Sequence, residues 1–90
     1  MADAIPPFED KPPSAPQVTP YDERHLNTYL LLLDADDAGI DWRSAVWTIF
    51  HIDAEREPVR AREVHQSHLS RARWMADSGY RDLLRPSPKN

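Results

Sequence analysis

Ninety residues with a formal charge of −4 at pH 7 allow at most one small domain. The chain has no cysteine, which excludes a disulfide framework and any cysteine-based zinc site. Its longest apolar run, YLLLL at residues 29–33, falls far short of the roughly 18 residues a membrane span needs, and no basic-then-apolar leader opens the chain, so a cytoplasmic protein is expected.

The first twenty residues hold six prolines, at 6, 7, 12, 13, 16 and 20. Such a stretch cannot form a helix and has little to bury, so residues 1–20 read as a disordered tail with polyproline II character. The expected domain is 21–85, followed by a disordered terminus at 86–90. Charge divides the chain unevenly. Residues 1–57 carry twelve acids against four Lys or Arg, a balance of −8, and residues 58–90 carry three against seven, a balance of +4. One end can attract phosphate while the rest repels it.

Asp22 can cap a first helix running to about Asp37, with Leu26, Tyr29, Leu30, Leu33 and Asp37 on one face at helical spacing. Gly39 stands where that helix should stop. Asp41 can cap a second helix from Trp42 to about Phe50, with Trp42, Ala45, Val46 and Ile49 inward. HIDAERE at 51–57 then interrupts the pattern. Pro58 suits the first turn of a third helix, where its missing N–H has no intrahelical role. That helix should reach Asp77 or Ser78, before Gly79. Its apolar face is Ala61, Val64, His65, His68, Leu69, Ala72, Met75 and Ala76. YRDLL at 80–84 reads as a last turn over the core. No strand pattern or repeat is present, so the class is all-α, a small three- to four-helix domain. Helix, turn, longer helix is the order of a helix-turn-helix.

No nucleophile motif or phosphate loop surrounds the serines. His65 and His68 share a face, but packed core histidines explain them better than a metal site. An enzyme is not expected, and neither are a cofactor, a metal, a small-molecule ligand or a membrane partner. Binding features are stronger. Leu31, Leu32, Trp47 and Trp74 fall off the core stripes, so each is either a partner contact or buried under further chain. Asp34, Asp36 and Asp37 crowd a helix C-terminus, where the dipole disfavours them, and invite a basic partner. Arg60, Arg62, Arg71 and Arg73 can contact phosphate, with Gln66 or Ser67 reaching a base edge. The competing reading is that their stems cover apolar surface and pair with acids.

The stretches YDERHLNTYLLLLDADDAGIDWRSAVWTIFHID and REPVRAREVHQSHLSRARWMADSGYRDLL resemble one bacterial domain family. Its relatives include the DNA-binding domains of the secretion regulator RovC and of the conjugative-element activator FseA. The resemblance covers Tyr21 to Arg85 and implies a helix-turn-helix with an extended turn, in keeping with HIDAERE. Within the family, a stand-alone chain of this size with an acidic surface is most similar to the QseM-like anti-activators. That resemblance implies a transcriptional activator as partner, FseA-like and also TraR-like. The free-standing copy of the fold would bind the activator's N-terminal domain, block activation and repress conjugative transfer. Residues 21–57 sum to −6, from nine acids and three arginines, so DNA binding through the helix 58–77 arginines is the alternative.

Overall fold

The computed structural model describes residues 6–79. Its described part is helical, in the order α1 Pro20–Arg24, α2 Leu26–Asp37, α3 Trp42–Phe50 and α4 Pro58–Trp74, with a π-helical turn Met75–Gly79 continuing α4. No strand occurs among the described residues, and no helix among them is long and apolar enough to cross a membrane. The YRDLL turn, residues 1–5 and the 86–90 terminus lie outside the described residues.

The first expected helix is two. Thr19, not Asp22, caps α1: its hydroxyl accepts from Asp22 N–H, and the Asp22 carboxylate accepts from Thr19 N–H, closing a capping box. The chain then bends at His25 before α2 begins. Asp22 is freed to turn inward, where it is fully buried. Gly39 closes α2 in the left-handed conformation that glycine adopts without steric cost. Asp41 caps α3 by accepting from Arg43 N–H at 3.2 Å. The long turn is anchored by Ile52, which returns to the core, and by Asp53, whose side chain accepts from Glu55 N–H.

The core joins Leu32 of α2 to Ala45, Val46, Ile49 and Phe50 of α3 and to Ala61, Val64 and Leu69 of α4. A second cluster sets Tyr29 against Ala72 and Met75. The inward faces expected for α3 and α4 are buried, except that Trp42 is only half-buried and Ala76 is exposed. The face expected for α2 is displaced. Leu30 is 59 % exposed, whereas Leu32 is 1 % exposed. With leucine at four successive positions, spacing alone cannot choose the face. The bend at His25 and the packing of Thr28, Tyr29 and Leu32 choose it.

The proline-rich segment expected to be disordered is a strap laid along the helices from residue 6. The Pro7 carbonyl accepts from His25 Nε2 at 3.1 Å, and Phe8 packs edge-on against Phe50 at 4.9 Å between ring centroids. Arg71 donates to the carbonyls of Ala15 and Gln17. Proline segments need no internal hydrogen bonds, so carbonyls are free to accept from side chains of the helical body.

Candidate nucleic-acid interface

The strap and the core each take one side of α4. The core takes the side of Ala61, Val64, His65, His68, Leu69 and Ala72. The strap takes the flank at Arg60, Glu63, Ser67 and Arg71. What remains is an exposed stripe of Val59, Arg62, Gln66, Ser70 and Arg73 at helical spacing. Beside it a groove of about 840 Å³ opens between α4, Trp42 and Arg43 of α3, and Lys11 of the strap. Three cations, Lys11, Arg43 and Arg62, line it against one acid, Glu63. The Arg43 and Arg62 guanidiniums each lie 5.0 Å from the Trp42 ring centroid, a cation–π arrangement that orients both groups. Arginine and glutamine on an exposed helix face have the donors and acceptors that base edges and phosphates require.

The four arginines expected to act together have separate fates. Arg71 is 7 % exposed and no phosphate contact. It makes a buried two-pronged pair with Asp22, Nε to Oδ1 at 2.9 Å and Nη2 to Oδ2 at 2.6 Å. Its guanidinium also lies 4.0 Å from the Trp74 ring centroid. Burial opposes the Asp22 charge, but hydrogen bonds from Arg71, Thr19 and Tyr29 outweigh it and bring its pKa down to about 2. Arg60 donates to Asp10 at 3.0 Å and Glu57 at 3.3 Å. Arg73 donates to Asp36 at 2.7 Å. Only Arg62 has no carboxylate partner among the described residues.

The expected protein-docking set is also divided. Leu32 is a core residue, a correction that follows from the displaced α2 face. Trp74 is half-buried, packed on the Tyr29–Met75 cluster and lining a recess with Pro12 and Pro13 of the strap, so the strap fills part of the surface assigned to a partner. Leu31 and Trp47 are exposed, at 42 % and 58 %. Asp34, Asp36 and Asp37 are exposed at the end of α2, and Asp36 already has its basic partner in Arg73 of the same chain.

Arg43 and Lys11 were missed by the sequence reading, because only the fold brings the α3 N-terminus and the strap to α4. Val59 and Ser70 were legible in principle, since projecting α4 and removing its apolar face leaves them in line with Arg62. Of the two histidines that share a face of α4, His68 has both ring nitrogens occupied, by the Val64 carbonyl at 2.8 Å and the Tyr21 hydroxyl at 2.7 Å.

Residues 6–85 match the model of the RovC DNA-binding domain family, described as "T6SS, Transcription factor, DNA binding domain". The match spans most of the chain, strap included, and the chain belongs to this family. Among curated proteins, none matches it. The family is one of transcription regulators rather than an enzyme class.

Proposed function

We propose that this chain regulates transcription by laying α4 in the major groove of duplex DNA. The exposed stripe Val59, Arg62, Gln66, Ser70 and Arg73 carries this reading, because it lies on the longer helix of a helix-turn-helix pair and is open to solvent, with the strap reaching it only at Ser70. In this role Arg62 and Gln66 read base edges, and Arg43, Lys11 and Arg73 contact phosphate. The exposed Arg73–Asp36 pair costs little to open, since solvent-exposed ion pairs contribute roughly 0–1 kcal/mol. Membership of a DNA-binding family supports the same reading. Fluorescence anisotropy with promoter fragments at low salt tests it. Arg62→Ala should weaken binding at one base position, by about 1–3 kcal/mol, and relax specificity there. Arg73→Ala should weaken all sequences alike. Binding that ignores both substitutions would sink the reading.

The anti-activator reading has its own support. The exposed Trp47 and Leu31 are large apolar side chains on a small body, and the chain's net charge of −4 opposes phosphate binding. In this reading those residues, with Asp34 and Asp37, dock on an FseA-like or TraR-like activator and so repress conjugative transfer. Titration of an isolated activator N-terminal domain separates the two. Docking predicts that Trp47→Ala abolishes the complex while Arg62→Ala leaves it intact.

A further inference from the structure

The strap carries charge to a particular place. Its backbone is fastened at Pro7 by His25 and at Ala15 and Gln17 by Arg71, and Phe8 is seated against Phe50 and His68. Between these anchors the chain crosses α4 next to the exposed stripe. There the Asp10 carbonyl accepts from Ser67 Oγ at 3.2 Å, and its carboxylate accepts from Arg60 Nε at 3.0 Å. That hydrogen bond, with the Glu57 bond beside it, holds the Arg60 pKa above its ordinary value despite partial desolvation. Glu9 stands beside Asp10 and is exposed. Lys11, the strap's one cation among the described residues, is drawn to Glu63 at 3.0 Å.

The sign is the informative feature. Chain segments that flank a reader helix and assist DNA binding carry arginine or lysine toward phosphate. This one sets the Asp10 carboxylate against α4, where it occupies an arginine that the helix itself directs outward, and its neighbouring cation Lys11 is paired with Glu63. Both partners of the Asp10–Arg60 pair are about half exposed, 53 % and 42 % by side chain. The pair therefore adds little to the fold, and a phosphate oxygen can replace the carboxylate.

We infer that the N-terminal strap is an electrostatic guard on α4, in which Asp10 withholds Arg60 from phosphate and holds DNA affinity down. The inference rests on the DNA-binding reading above. The guard makes affinity adjustable: a partner or ligand that displaces Asp10 from α4 frees Arg60 for phosphate.

The test measures binding of a short mixed-sequence DNA duplex against salt concentration, for the full chain, Asp10→Asn, Arg60→Ala and the double variant. Asp10 is half exposed, so Asp10→Asn leaves the fold intact. The expected result for Asp10→Asn is affinity raised about 3–10-fold at low salt and a log–log salt slope steeper by roughly one, as for one added phosphate contact. In the Arg60→Ala background the substitution should have no such effect. An unchanged affinity and slope in Asp10→Asn, with the full chain binding DNA, overturns the guard alone. A gain that persists without Arg60 also overturns it, because the cause is then general charge removal. Absence of duplex binding by every variant at low salt overturns both the guard and the DNA-binding reading.

Discussion

Asp22 and Arg71 show how far a residue's role can move from its sequence appearance. An aspartate three residues after a proline-preceding threonine reads as a helix cap, and an arginine on a basic helix reads as a phosphate contact. In the fold the Asp22 carboxylate accepts from Thr19, Tyr29 and Arg71, so every prong of a buried charge has a partner and neither charge is left in a low dielectric alone. The buried imidazoles follow the opposite rule and are held neutral. Burial pushes the His68 pKa from 6.5 down to about 4, against the Val64 carbonyl, which favours the charged ring. His25 and His65 are lowered in the same direction, burial again being the main cause. A lowered folded-state pKa means that the unfolded chain takes up the proton first. The stability from His68 is therefore complete above its unfolded pKa of 6.5 and is lost as pH falls toward about 4. Urea midpoints at about pH 7.5 and about pH 4.5 should differ by the equivalent of a few kcal/mol, and His68→Asn should flatten the dependence. Equal midpoints for the parent chain at the two values would contradict this account.

At the scale of elements, α2 decides its own orientation through neighbours rather than through composition. Leu31 and Leu32 are adjacent and chemically identical, yet one is exposed and the other lies in the core beside Val46 and Val64. Leu32→Ala should therefore destabilise by ~3 kcal/mol through lost burial and the cavity left behind, while Leu31→Ala should stay within about 0.5 kcal/mol. Chemical denaturation of the two variants checks the assignment, and comparable losses would mean that α2 is rotated from the orientation described. The same logic sorts α4. Arg71 and Arg73 are two residues apart, about 200° around the helix, so one can be buried under the strap while the other reaches solvent and Asp36.

The whole molecule depends on a segment whose composition suggests none of this. The strap supplies Thr19 to cap α1, carbonyls to Arg71 and His25, and Phe8 to the core. Family membership begins at residue 6, so the matched unit includes it. A chain starting at Pro20 should lose at least ~2 kcal/mol, since the cap alone is worth about 1 kcal/mol and the Arg71 donors would lose two partners. Thermal unfolding of that shortened chain reads this directly; an unchanged midpoint would show the segment to be the solvated leader its prolines suggest.

The sequence alone determined the helical class, the cap at Asp41, the helix start at Pro58, the stop at Gly39 and most of the inward faces of α3 and α4. These follow from local propensities and from a 3.6-residue period that is unambiguous where polar residues alternate with apolar ones. The long connector at 51–57 was legible as a break in that pattern, and the family through the resemblance of the two long stretches on either side of it. The tertiary structure decided which leucines of α2 are core, that Asp22 and Arg71 share a buried pair 49 residues apart, and that the proline segment is bound. It also gathered Lys11, Trp42, Arg43 and Arg62 at one groove. Each of these depends on contacts between residues distant in the chain. A run of leucines or prolines has no local signal of which face, or which carbonyl, the rest of the fold will use.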